Sequence, residues 1–174
     1  MKNFTLLDEG IETGPLLALL NDHPELWNVY NYRSMMKPAH KEVDDIIVRF
    51  DDVRNYTEGM ECIDYPAWAV LGETLTPMLN YIMDKTACTK MGRVVITRLT
   101  PGHGVAEHRD TEKSVKTYRR YHLCIDGHPG NKFDCSGESV EMYTGQLWWF
   151  NNQILHSCIN LGQQDRIHLI VDAC

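Results

Sequence analysis

His108-Arg109-Asp110, with His156 to join it, ties the chemistry of this chain to its shape. Two imidazoles and a carboxylate grip a divalent first-row metal on one face and leave the opposite face open. With open positions the usual occupant is Fe(II) in an oxygenase. Residues two apart on a strand point to the same side, so His108 and Asp110 share one ion only if the tripeptide is extended. His156 lies 46 residues after Asp110 and has to arrive on a neighbouring strand. The ligand set is therefore a prediction about fold as well as chemistry.

The surrounding chain agrees. Residues 93–99, 116–125, 139–143, 146–150, 155–161 and 166–172 read as short strands. Turn formers separate them: Pro101-Gly102, Asp126-Gly127 with Pro129-Gly130, Ser136-Gly137, Gly145 and Gly162. Close-set strands with such turns predict a jelly roll or barrel, cupin-like in outline. Upstream, Ile11, Leu16, Leu17, Leu19 and Leu20 predict a short helix over 11–21 with Pro15 near its start. Residues 26–32 mix aromatics with asparagine and read as edge packing. Residues 44–50 alternate as a strand with Ile46, Val48 and Phe50 inward. Trp68, Leu71, Leu75, Met78, Leu79 and Ile82 recur at helical spacing. Pro77 predicts a break there, with Thr76 capping a second helix. The expectation is a mainly β protein with a helical layer on one side. It is read as one domain over 1–174, with a helical and strand part at 1–92 and a β core at 93–174.

Bulk properties narrow the function. At 174 residues the chain suits one domain with a real core. A formal charge of −7 disfavours nucleic acid as a partner. No apolar run approaches the ~20 residues that span a bilayer, and residues 1–10 lack the pattern of a secretion signal. Six scattered cysteines contain no Cys-x-x-Cys pair, which leaves zinc-ribbon and thioredoxin readings without support. Reduced thiols in a cytoplasmic protein are expected.

Eight histidines make pairs easy to find by chance, and His23, His40, His103, His128 and His168 are taken as ordinary core or surface residues. Of these, His40 stands just before the 44–50 strand, from where it could reach a pocket mouth. His108 differs from these because Asp110 shares its strand face. Arg166, ten residues past His156, offers the paired donors that fix the far carboxylate of a dicarboxylate cosubstrate. Arg120 and His122 share one face of an otherwise apolar strand, which calls for an anion or a buried partner. Thr97 adds a hydroxyl to the same cluster.

Taken together, the motifs resemble those of the aspartyl/asparaginyl β-hydroxylase family of Fe(II)/2-oxoglutarate oxygenases. The resemblance rests on Thr97-Arg98-Leu99-Thr100-Pro101-Gly102, Glu107-His108-Arg109-Asp110 and Arg120-Tyr121-His122-Leu123. It continues through residues 145–152, His156-Ser157-Cys158-Ile159-Asn160 and residues 166–172. It implies a double-stranded β-helix with His108 and His156 on iron. Arg166 and Thr97 would meet the distal carboxylate of 2-oxoglutarate, and Arg120 and His122 would lie near its chelating end. Some members lack the carboxylate and bind iron by two histidines. Asp110 occupies that position here, so the three-ligand form, with His108, Asp110 and His156 as the catalytic set, is expected. The cofactors implied are Fe(II) and 2-oxoglutarate, with O2 as cosubstrate and ascorbate as reductant in vitro. The acceptor expected is an aspartyl, asparaginyl or related side chain in a protein or peptide. A free amino acid is the alternative, since Asp110 brings the chain closer to free-amino-acid hydroxylases. A cupin-like zinc hydrolase or isomerase would use the same ligands but has no use for Arg166. A degenerate barrel serving only for binding would not need the metal set intact.

Overall fold

The computed structural model describes residues 2–52, 61–111 and 113–174. In chain order the N-terminal half gives β1 (Phe4–Asp8), α1 (Gly14–Asp22), α2 (Tyr32–Met36), β2 (Asp44–Asp51), β3 (Cys62–Asp64) and α3 (Ala67–Thr86). The C-terminal half gives β4 (Met91–Leu99), β5 (Gly104–His108), α4 (Lys113–Thr117), β6 (Arg119–Asp126) and β7 (Asn131–Cys135). It continues with β8 (Glu138–Glu141), β9 (Leu147–Phe150), β10 (His156–Asn160) and β11 (Arg166–Ala173). The strands form a seven-stranded sheet, order β1-β9-β6-β11-β4-β2-β3, and a four-stranded sheet, order β5-β10-β7-β8. Every pairing is antiparallel.

The expected double-stranded β-helix is corrected by this topology. The fold is mixed α/β, with two antiparallel sheets and four helices, and neither sheet closes into a barrel as a jelly roll or cupin requires. The physical reason lies in the N-terminal half. Beyond the expected strand at 44–50, which is β2, it supplies β1 to one edge of the large sheet and β3 to the other. Seven strands face four, and the surplus edges stay open.

Three layers result. Leu16 and Leu20 of α1 and Leu71, Leu75, Leu79 and Ile82 of α3 pack on one face of the large sheet, against Ile46, Val48, Val94, Ile96, Leu123 and Leu169. Each fully buried aliphatic side chain there contributes roughly 1.5–3 kcal/mol. The opposite face meets the small sheet through Phe4, Leu99, Cys124, Phe133, Phe150 and Cys158. β11 sits centrally between β4 and β6 and is buried along its whole length.

Several local expectations change. α3 runs unbroken through Pro77. Pro77 and Glu73, whose carbonyl loses its i+4 partner, are both exposed, so the proline sits on the solvent side of the helix. Thr76 donates to the Gly72 carbonyl at 2.6 Å instead of capping a new helix. In β2 a register shift between Ile47 and Arg49 breaks the alternation. Ile46 and Val48 face the helices, while Phe50 turns with Ile47 to a separate cluster around Tyr65. The 26–32 stretch is a connecting segment leading into α2, with Trp27 stacked on Arg98 at 4.5 Å. The 11–21 helix is α1, with Pro15 in its first turn.

Candidate metal centre

The small sheet brings two imidazoles together. β10 pairs with β5, and His156 stands directly opposite His108 with ring centroids 4.3 Å apart. Gly104 makes this approach possible, since a Cβ there would sit 2.7 Å from the Cys158 carbonyl oxygen. β5 ends at His108, so Asp110 lies just beyond the strand. Its backbone N–H donates to the Asn152 carbonyl at 3.0 Å, which swings the carboxylate back beside the histidines. His108 Nε2 and Asp110 Oδ1 are 3.7 Å apart. The ligand atoms of His108, Asp110 and His156 all lie within 4.8 Å of one another, close enough to share one ion.

The groups behind these donors fix their roles. Nδ1 of His108 donates to the Ala106 carbonyl and Nδ1 of His156 to the Ile154 carbonyl, each at 2.9 Å. Both rings therefore turn a bare Nε2 toward Asp110. Burial lowers the His156 pKa to about 4, with the positive charge of Arg120 adding to it. The ring is thus neutral and ready to ligate. Burial works against ionisation of Asp110, but Arg120, Lys37 and Asn152 outweigh it and hold the carboxyl well below the usual range. Arg120 Nη1 donates to Oδ2 at 2.5 Å, Asn152 Nδ2 to Oδ2 at 3.0 Å, and Lys37 Nζ to Oδ1 at 3.1 Å. Arg120 is itself clamped by Asp172, Nε to Oδ1 at 2.8 Å and Nη2 to Oδ2 at 2.9 Å. Two neutral imidazoles and one anionic oxygen suit a divalent ion with open positions.

A cleft of about 450 Å3, counting its mouth, runs between the sheets from this centre. Thr97, Arg120, His122 and Arg166 line it together with both metal-site histidines. Of the residues expected from the sequence, all but Asp110 line this cavity, and Asp110 stands beside its two histidines. At the deep end Arg166 and His122 are buried, with the Arg166 guanidinium 5.9 Å from the Phe133 ring centroid. His168, read from sequence as an ordinary histidine, sits there too. Its Nδ1 is 3.3 Å from Arg166 Nη2 and 3.1 Å from His122 Nδ1. Burial and then the Arg166 charge push both histidines far below their usual pKa, so both are neutral. The i, i+2 spacing from Arg166 was the available signal for His168.

Other groups escaped the sequence reading. Asn152, Asp172 and Lys37 hold Asp110 directly or through Arg120. Arg33, on α2, lines the cleft beside His40, which does reach the pocket as its position suggested. The His40 ring packs edge-on against His108, centroids 4.9 Å apart. Burial, then Arg33, lowers its pKa to about 2.

Comparison with known proteins agrees with this geometry. The family description "Aspartyl/Asparaginyl beta-hydroxylase" matches residues 69–174. The chain belongs to the aspartyl/asparaginyl β-hydroxylase family. An L-proline cis-4-hydroxylase from Rhizobium meliloti (strain 1021) is 24% identical over 108 residues, 62% of this chain. The match spans 39% of that relative's length. Among solved structures, a 2OG-Fe(II) oxygenase family oxidoreductase from Burkholderia pseudomallei superposes with a TM-score of 0.65 at 12% identity, covering 98% of this chain and 84% of that one. A collagen prolyl hydroxylase from Paramecium Bursaria Chlorella virus-1, solved with 2OG, gives 0.58 at 10% identity, covering 99% and 95%. The family member described here thus has an Fe(II)/2-oxoglutarate-oxygenase-like fold with a facial-triad metal site. No described helix is long and apolar enough to cross a membrane.

Proposed function

We propose that the chain is an Fe(II)/2-oxoglutarate-dependent hydroxylase of an amino-acid carbon, acting as one catalytic domain. The observation that carries this is the meeting of His108, Asp110, His156 and Arg166 around one cleft. His108 and His156 would hold iron through Nε2 and Asp110 through a carboxylate oxygen. Iron with 2-oxoglutarate and O2 supplies the oxidant that turns C–H into C–OH while the keto acid leaves as succinate and CO2.

The protein's own part is placement. Arg166 is a buried, donor-only fork that meets a carboxylate in paired geometry, with the Thr97 hydroxyl beside it. Both suit the far end of 2-oxoglutarate. Arg120 and His122 border the end nearer the metal, and Arg120 also keeps Asp110 ionised and aimed. Phe133 and Phe150 exclude water from the space between, which strengthens every charge contact inside.

Two acceptor classes remain in play. The family description favours an aspartyl or asparaginyl side chain in a protein or peptide. A free amino acid is favoured by a different observation: the described lining carries three arginines and no carboxylate. The relative named as a proline hydroxylase points the same way. The test is purified protein with Fe(II), ascorbate and 2-oxoglutarate, assayed for succinate with free L-amino acids, L-proline among them, and with Asp- and Asn-containing peptides. Succinate above the acceptor-free rate is expected with one class. Absence of 2-oxoglutarate turnover with every acceptor, in protein that has bound metal, would refute the hydroxylase reading.

A further inference from the structure

The segment between α2 and β2 forms one wall of the cleft, and it lies outside the stretch that matches the family. His40 is 5% exposed there and packs on the ring of His108. Its Nδ1 is 3.2 Å from Arg33 Nη2. A guanidinium only donates, so Nδ1 accepts and the ring proton is on Nε2. That Nε2–H is buried and has no hydrogen-bond partner among the described residues. Leaving a buried donor unmatched costs roughly 1–3 kcal/mol, which is the signature of a group that waits for a ligand. Arg33 is not free to shift away, because its Nη1 donates to buried Asp45 at 2.7 Å, and Asp45 is held in turn by its backbone N–H, which donates to Asn28 Oδ1 at 3.0 Å.

We propose that His40, fixed by Arg33, is the specificity residue for the acceptor, donating its Nε2–H to the free α-carboxylate of a small amino-acid substrate on the His108 side of the metal centre. The inference rests on the hydroxylase reading and names its substrate class. A bare N–H donor beside a guanidinium, with no carboxylate in the described lining, selects an anionic oxygen over an amide or an ammonium. Arg166 sits at the deep end by Phe133, so the two anions of a ternary complex, cosubstrate and acceptor, have separate cationic partners.

The test uses full-length protein loaded with Mn(II) and N-oxalylglycine, a pair that binds without turnover. The affinities of Mn(II) and N-oxalylglycine are measured first. Paramagnetic broadening by Mn(II) of ligand proton signals then reports binding near the metal, with the free L-amino acids and their amides as probes. At least one free acid is expected to broaden, and its amide to need at least about ten-fold higher concentration. His40→Phe, which keeps a ring against His108, is expected to weaken that acid by at least about ten-fold. Mn(II) and N-oxalylglycine affinities stay within about two-fold. His40→Gln, which restores an N–H donor at similar reach, recovers part of the loss. Equal binding of acid and amide, unchanged binding in His40→Phe, or no acid reaching the loaded site each overturns the proposal. Failure of wild-type protein to bind Mn(II) or N-oxalylglycine is a different result, and it removes the hydroxylase reading itself.

Discussion

The two ends of the cleft are built on opposite principles. At the metal end the supporting atoms are saturated: each ligating histidine has its Nδ1 on a backbone carbonyl, and Asp110 takes contacts from Arg120, Asn152 and Lys37. At the deep end the nitrogens are left over. Arg166 Nε, His122 Nε2 and His168 Nε2 are buried with no hydrogen-bond partner among the described residues. Saturation fixes donor positions before an ion arrives, as a metal with strict geometry demands. Unmatched buried polar groups do the reverse: they make a site costly until a polar ligand fills it. One end is preorganised by the protein, and the other is completed by what it binds.

Removing a ligand from the saturated end has the largest expected effect. His156→Ala should abolish turnover and lower metal affinity by at least about 100-fold, beyond what loss of a supporting group does. Co(II) titration followed by its visible spectrum checks this. Asp110→Ala should behave similarly, and full turnover in that variant would defeat the three-ligand form while sparing a two-histidine one. At the unmatched end, Arg166→Ala should weaken 2-oxoglutarate by about 30-fold or more, corresponding to at least ~2 kcal/mol for truncating a buried charge pair. Its Co(II) affinity should not change. Coupled loss of metal and cosubstrate would mean that the two ends are not separate. Asn152→Ala, which removes the side-chain donor to Oδ2 of Asp110 but keeps the backbone carbonyl that tethers it, is expected to cost about ten-fold in metal affinity with 2-oxoglutarate binding little altered.

The same contrast explains what the sequence discloses. Ligands that repeat at fixed spacing on strands are legible: His108 and His156 oppose each other because β5 and β10 pair, and Arg166 opens the strand that follows. The supporting shell is not legible, because it is assembled by contacts between distant segments. Lys37 reaches Asp110 across 73 residues and Asp172 reaches Arg120 across 52. Neither has a local pattern. The fold was legible in its strands and helices but not in its closure. The alternation that marks 139–143 or 166–172 as strands says nothing about how many neighbours the sheet acquires. β1 and β3 are short edge strands, and Asn131–Cys135, which became β7, sits between turn formers that mask it. Pro77 misled for a related reason, since an exposed proline in a helix held by four buried aliphatic residues is outvoted by packing.

Acid should expose the difference between the ends more gently than mutation. In chelator-treated protein, buried His156 has a folded pKa of about 4 against about 6.5 for the unfolded chain. The unfolded state therefore binds more protons between these values, and stability rises with pH across that window. The contribution is complete above pH 6.5 and is lost as pH falls toward 4. His40, at about 2, has the same sign and extends the loss to lower pH. So do His122 and His168, both lowered by burial and the Arg166 charge. Asp45, raised by burial, opposes them just above pH 3.8. Each histidine adds a slope of up to about 1.4 kcal/mol per pH unit. Urea unfolding at pH 7 and pH 5 should show this fall in the wild type and a slope shallower by about one proton in His156→Gln. Saturating Zn(II) should steepen the wild-type profile, because a ligating imidazole cannot take a proton in the folded state while the unfolded chain still can, and should leave His156→Gln nearly unmoved. If metal steepened both proteins equally, His156 would not be among the ligands, and the saturated end would not be the metal end.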